Sequence, residues 1–375
     1  MKLKKLRVIV ILVLIISCKS NDKKETDAEY ITKSTIINFS DSIYGEINPN
    51  IELLSGVLAY TSWIKIRGPE TGGNKYFRDL KEYLDPYKKH DAFKIAEKLT
   101  RRGFTYDAPP NLALRLGPLP ELENINGYSE YLIDRAWNEG ILEDFRLALR
   151  DLAIVSKFDK FYNSNIENYS NYINRSMNGM EPEKITKWLS NFYGWSGSEF
   201  HLVFAPAMFP GGGYGSSIEL DNKLIVNQVL RARGTSLNEP ILPTGLDLSF
   251  LTIHELSHSF INPSNEKIKE IFNNQELLDI FNPVKELMEK QAYPEAPIFF
   301  NELLVRAVTL IALKDIYNID DKIYNRLLES EKERGFYLIK ESIDELNSYR
   351  KMREIYPRFD SYLPIYYKNI TMIDG

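Results

Sequence analysis

The 375-residue chain predicts a predominantly helical α+β fold with a small antiparallel sheet. Three observations predict it. Long stretches repeat apolar residues at helical spacing. Only residues 200–206 and 223–229 are β-branched and aromatic enough to read as strands. The composition, 43% hydrophobic and 26% charged, is that of a globular chain with enough apolar residues for a core.

The first helical pattern runs from Ile51 to Lys65, after Asn48-Pro49-Asn50, a capped start with proline at its head. The pattern recurs over 76–102, 119–159 and 182–193, with Pro109-Pro110 and Gly117-Pro118 as turn signals between. Between the last two stretches, the Tyr- and Asn-rich segment 162–174 reads as solvated surface, and His90 in the first reads as an exposed residue at a polar helix start. Phe200 to Ala205 suits a strand. Met208 to Gly215 carries too much glycine and proline for regular structure, and Lys223 to Val229 suits a second strand. The two strands are expected to pair antiparallel around the glycine-rich loop 211–215. That loop offers either close approach to a substrate or a flexible hairpin tip. After Pro243-Thr244-Gly245 helical spacing dominates to about residue 350. The tail from Arg353 to Tyr367, with four tyrosines and two prolines, is expected to fold back over a cleft. No internal repeat is visible. Folded structure is expected to begin between residues 30 and 50. A single domain over 41–375 follows, with a helical part to about 197 and a second part from about 198.

The 47 basic and 52 acidic residues give a net charge of −5, which leaves no footprint for nucleic-acid binding. Residues 2–7 nevertheless hold four positive charges, and Val8 to Ile16 is an apolar run of nine. Such a run is too short to span a bilayer, which takes about 20 residues. It is the pattern of a secretory signal. The segment ends Leu14-Ile15-Ile16-Ser17-Cys18, which resembles the lipobox of bacterial lipoproteins. That resemblance implies removal of residues 1–17, a lipid on Cys18 and a membrane anchor. Lys19 resembles the residue found there in lipoproteins sent to the outer membrane. Residues 18–40 then serve as a tether. Removing four basic residues and no acidic ones leaves 43 against 52, or −9. Cys18 is the only cysteine, so the mature chain can form no disulfide, and any metal site must use His, Asp or Glu.

The chain has four histidines, His90, His201, His254 and His258. Two fall in His254-Glu255-Leu256-Ser257-His258, inside an apolar helical stretch that Asp247 is expected to cap and Asn262-Pro263 to end. At 3.6 residues per turn, His254 and His258 share one helix face and can reach one ion. Glu255 sits about 100° round the helix, beside the metal without ligating it, as suits a general base. The flanking Phe250, Leu251, Ile253, Leu256, Phe260 and Ile261 make the helix apolar nearly all round. It is therefore expected to be buried, where unpartnered histidines would be costly.

The segment resembles the HExxH zinc metallopeptidases. The extended metzincin pattern fails, because Ile261 and Ser264 stand at its glycine and third histidine. The gluzincin, or thermolysin-like, subgroup instead takes a glutamate from a later helix. Glu302 is the only acid in the apolar stretch 297–314 and follows His258 by 44 residues. Asn301-Glu302 resembles the Asn-Glu pair of that subgroup, although its later aspartate is missing. The alternative role for Glu302 is an ion pair with Arg306, one turn on. Glu266, Glu270 and Glu295 are weaker ligand candidates, in polar stretches. The resemblance implies a zincin-like fold, Zn²⁺ held by His254, His258 and Glu302, Glu255 as catalytic base, and a peptide or protein substrate. His201, Tyr214, Tyr362, Tyr366 and Tyr367 are open candidates for the second electrophile, and the strand at 200–206 for a substrate-pairing edge. The chain is also similar, over about 45–370, to an uncharacterised family of bacterial lipoproteins with a His-Glu-x-Ser-His-Ser-Phe segment. A non-catalytic cell-envelope binding lipoprotein and a closed structural zinc site are the competing expectations.

Overall fold

Five short strands, β1 (Thr35–Asn38), β2 (Ile43–Ile47), β3 (Ser198–Ala205), β4 (Gly213–Leu220) and β5 (Lys223–Arg231), form one sheet in the order β1-β2-β3-β5-β4. The computed structural model describes residues 31–68, 73–194, 198–208, 213–220, 223–232, 234–235 and 238–372. The signal segment, Cys18 and most of the tether lie outside these residues. The fold is α+β and mostly helical, as the spacing predicts.

The sheet is mixed rather than antiparallel. β2, β3 and β5 are parallel neighbours, while β1 and β4 are antiparallel edges. The two strands read from the sequence are β3 and β5, and a third strand lies between them in the chain. Gly213 to Gly215 begins that strand, β4, instead of remaining irregular. A chain that reverses twice returns to its first direction, so β5 lies parallel to β3. The run Leu202-Val203-Phe204-Ala205 is buried throughout, as a central strand covered on both faces requires. The strand at 200–206 is therefore not an edge, because β2 and β5 pair with it on both sides.

β1 and β2 come from the N-terminal region and pair directly or indirectly with β3, so a boundary near residue 197 would cut the sheet. The residues from Ile31 onward form one compact unit. Gly45 of β2 is needed for a close approach. A Cβ there would lie 2.5 Å from the Ile173 side chain of the helix Ile166–Met177. That helix and its predecessor, Phe158–Ser164, bury Tyr162, Tyr169, Tyr172 and Ile173. The segment 162–174 is thus a core wall, not a solvated surface. Its apolar faces decide its burial, and its Asn and Ser residues occupy the outer positions.

Several helix limits differ from the sequence pattern. Pro109 and Pro110 stand in the first turn of the helix Ala108–Leu114, where the missing N–H costs nothing. The pattern over 119–159 resolves into Glu130–Ala136 and Glu139–Ser156, preceded by a loop. His90 is an N-cap. Its Nδ1 accepts from Ala92 N at 3.2 Å and its Nε2 lies 2.8 Å from Asp151 Oδ2, so the side chain is anchored rather than free. The C-terminal helix Leu363–Thr371 buries Tyr366 and Tyr367, and Tyr362 precedes it, also buried.

One helix, Ala296–Tyr317, is apolar and long enough to cross a membrane among the described residues, but 83% of that apolar window is buried inside the protein. It is a core helix around which the C-terminal half is built. Its buried charged residues are Glu302 and Arg306, while Lys314 and Asp315 stand near its C-terminal end.

Candidate metal centre

The helix Gly245–Glu266 carries the HExxH segment. Thr244 is its N-cap, not Asp247, which stands in the first turn, where a carboxylate favours the positive helix end. Gly245 opens the helix with φ +53°, a left-handed value that glycine adopts freely. The helix does not end at Asn262-Pro263 but continues through Pro263 to Glu266. Tertiary packing outweighs the proline. Phe260, Ile261, Ser264 and Asn265 are buried, and Asn265 Nδ2 donates to Asn301 Oδ1 on the core helix.

Burial is one-sided, contrary to the all-round apolar expectation. Leu248, Ile253, Leu256 and Ile261 are buried, while Phe250, His254, Glu255 and His258 are only partly covered. The face with the polar triplet therefore opens towards solvent.

The core helix packs against this one and brings Glu302 to the two histidines. His258 Nε2 lies 3.3 Å from His254 Nε2 and 3.2 Å from Glu302 Oε1; His254 Nε2 lies 3.8 Å from Glu302 Oε2. One ligand-type atom from each residue falls within 4.8 Å of the others. His258 Nδ1 is 3.2 Å from Asn262 Oδ1, which orients the ring and frees Nε2 to point inward.

The two roles weighed for Glu302 coexist. Its Oε2 accepts from Arg306 Nη2 at 2.8 Å, while Oε1 faces His258. Arg306 is buried, donates through Nη1 to Glu331 Oε2 at 2.8 Å, and covers the Phe336 ring at 4.5 Å. Tyr293 Oη is 3.3 Å from Arg306 Nη2. Glu331 and Tyr293 were not legible as site residues. Glu331 lies in a strongly polar helix, Asp321–Glu333, and its burial follows from the need to offset the Arg306 charge.

Electrostatics divide the groups. Burial pushes the His254 imidazole down to about 3, so it is neutral, the form that ligates a metal. Burial alone would raise Glu302, but the His258 hydrogen bond and the Arg306 charge hold it well below the usual carboxylate range. Burial raises Glu255, although the charge of the neighbouring His258 acts in the opposite direction. A carboxylate with raised proton affinity beside the ligand cluster is suited to accepting a proton.

The edge strand β4 passes over this carboxylate. A Cβ on Gly215 would lie 3.5 Å from Glu255 Oε2. The edge beside the motif is thus β4, which periodicity did not reveal.

The other sequence candidates are engaged elsewhere. His201 Nδ1 is 2.8 Å from Glu46 Oε2. Tyr362 donates to Glu345, Tyr366 pairs with Ser342 at 2.7 Å, and Tyr367 packs on Phe272 and Phe300. The tail thus fills the core instead of lying over a cleft. The side chain of Tyr214 and the glycines 211–212 lie outside the described residues. Glu266 and Glu270 are exposed and bonded to Lys269 and Asn273, and Glu295 is an exposed N-cap.

Fold and site together define a helix-rich α+β protein with a two-histidine, one-carboxylate cluster and a second carboxyl group, that of Glu255, beside it. The chain belongs to the family described as a domain of unknown function, DUF4932, whose family model matches residues 43–368. Neither the curated proteins nor the solved structures give a match to the chain.

Proposed function

We propose that this protein is a zinc-dependent metallopeptidase of the gluzincin type, with a zincin-like arrangement of helices and edge strand, tethered to the cell envelope through a lipid on Cys18. The observation that carries the catalytic reading is the convergence of His254, His258 and Glu302 beside a Glu255 that takes no part in the cluster. The anchor rests on the charged start, the apolar run and the Leu-Ile-Ile-Ser-Cys ending.

The donor set fits zinc. Two imidazole nitrogens pointing at one another at 3.3 Å, with a carboxylate oxygen at 3.2 Å, match the N/O ligands and small cage of a tetrahedral site. Three protein ligands leave a position open, as a catalytic site requires and a closed structural site does not. When bound, zinc supplies Lewis acidity that acidifies water and stabilises negative charge on a carbonyl oxygen.

The chain's own residues do the rest. Glu255 Oε2 is positioned to take a proton from an attacking water and to return it to the departing amine. Its burial raises its proton affinity, which favours its accepting that proton. β4 offers an antiparallel edge on which an extended peptide could add a further strand, with backbone hydrogen bonds supplying affinity. Gly215 leaves space between that edge and Glu255.

The test uses protein lacking residues 1–18, compared with Glu255→Gln and Glu302→Ala. Metal analysis after zinc loading should give one zinc per chain for wild type and Glu255→Gln, and far less for Glu302→Ala. A peptide library should be cleaved by wild type and left intact by Glu255→Gln. Failure of the wild type to hold zinc, or full activity in Glu255→Gln, would sink the reading. A non-catalytic binding lipoprotein would then take its place.

A further inference from the structure

Two of the six non-glycine residues with positive φ among the described residues are exposed aromatics, Tyr106 at φ +58° and Trp137 at φ +75°. Tyr106 is 44% exposed and Trp137 is 65% exposed. A left-handed backbone costs a bulky residue on the order of 1 kcal/mol, and an exposed ring recovers little by burial. At Trp137 the left-handed backbone caps the helix Glu130–Ala136, a task that needs no side chain, so the helix end does not account for an exposed indole there.

The two rings belong to one surface. Tyr106 meets Trp63 edge-on, centroids 5.6 Å apart. Trp63 lies on the short helix Ser62–Arg67, and Ile66, three residues on, shares its face and is 77% exposed. The Arg102 guanidinium covers Trp137 at 5.0 Å. Arg135 joins the two segments, donating through Nη2 to Gly103 O at 2.7 Å and Thr105 O at 2.9 Å.

Its charge is positive in a chain that is negative overall. Lys65 and Arg67 are exposed beside Ile66, and Arg102 is exposed on Trp137. None of the three has a carboxylate partner among the described residues. Two acids adjoin the surface and both are engaged: Asp107 by Arg135 and Tyr131, and Glu97 by Ser62 and Arg101. Tryptophan, tyrosine and isoleucine ringed by free cations are the groups that settle at the boundary between acyl chains and anionic headgroups.

We infer that the surface formed by Trp63, Ile66, Tyr106 and Trp137, rimmed by Lys65, Arg67 and Arg102, docks on an anionic lipid surface. The aromatic and aliphatic side chains enter the headgroup region, and the cations pair with phosphate. The contact is separate from the metal centre and from any lipid on Cys18. It would set the orientation of the domain on a membrane.

The test is flotation of protein lacking residues 1–18, hence without a lipid, on vesicles of phosphatidylcholine alone or mixed with phosphatidylglycerol. Wild type should float with the mixed vesicles and release as salt rises. Trp137→Ala and Ile66→Ser should each weaken binding by roughly tenfold, and Arg102→Glu by at least about fivefold, the factor for one interfacial cation. Melting temperature should stay unchanged, because these side chains are exposed. No preference for the anionic vesicles, or undiminished binding by Trp137→Ala and Ile66→Ser, overturns the inference. Self-association abolished by Trp137→Ala, without vesicle binding, would assign the face to a second copy of the chain instead.

Discussion

Arg306 grips one oxygen of Glu302 at 2.8 Å and leaves the other facing His258 at 3.2 Å. The pair is buried and sits one helical turn apart on the core helix, so its geometry is fixed by rigid structure and not by a loop. Arg306 acts on the proposed ligand set as a positioning residue.

Arg306→Met should therefore lower zinc affinity by roughly 10–100-fold, measured by chelator competition, with both histidines intact. It also leaves Glu331 buried without its main partner, which costs roughly 3–5 kcal/mol. The double variant Arg306→Met/Glu331→Leu separates the two effects. Thermal unfolding should recover in the double variant, whereas zinc affinity should not.

Gly215→Val places a branched side chain where even a Cβ would stand 3.5 Å from Glu255 Oε2. Zinc content should be retained and peptide hydrolysis should fall by at least about tenfold, with Gly215→Ala intermediate. Equal activity in Gly215→Val and wild type would show that the space beside β4 is not used by substrate.

Glu52 is fully buried in the helix Pro49–Leu58, and neither of its oxygens makes a well-formed hydrogen bond; Tyr76 is its polar neighbour. Burial pushes its carboxyl up to about 8. The folded state then keeps a proton that the unfolded state loses near pH 4.5, so stability falls as pH rises between those values and levels off above about 8. The slope for one such group is about 1.4 kcal/mol per pH unit. Glu52→Gln should flatten the change in unfolding free energy between pH 5 and pH 8, read from urea melts. An unchanged slope would mean that Glu52 does not hold that proton.

Asn50 Nδ2 donates to the carbonyls of Ala113, Leu116 and Gly117 at 3.0–3.3 Å, tying the helix Pro49–Leu58 to the turn after Ala108–Leu114. Asn50→Leu strands those buried carbonyls and should cost about 1–3 kcal/mol by denaturant unfolding. Zinc content should be retained, because the three proposed ligands stand on other helices, Gly245–Glu266 and Ala296–Tyr317.

Cys18→Ala tests the anchor. The variant should lose incorporation of a labelled fatty acid and leave the membrane fraction, while wild type retains both. Labelling of Cys18→Ala to the wild-type level would remove the lipoprotein reading.

The local chemistry of the site was legible along the chain. The i, i+4 spacing of His254 and His258, and the isolation of Glu302 in an apolar helix, follow from helical geometry and from the cost of burying a charge alone. Helix existence in the C-terminal half was equally readable, because long apolar periodic stretches have few other solutions. What surrounds those residues was not. The parallel pairing of β3 with β5 depends on an intervening strand whose glycines carry no strand signal. β1 and β2 are too short for periodicity to separate from noise. Glu331 enters the site from a polar helix only because Arg306, buried by tertiary packing, needs a second anion. The burial of Tyr162 and Tyr169 likewise depends on which face of their helices meets the sheet. Spacing within one helix is set by covalent geometry, so the sequence by itself determined the His-Glu-x-x-His spacing, the apolar core helix and the separation of Glu255 from the proposed ligands. Contacts between elements distant in the chain are set by packing and charge compensation across the whole unit, so only the tertiary structure decided the sheet order, the edge strand over Glu255 and the arginine that orients Glu302.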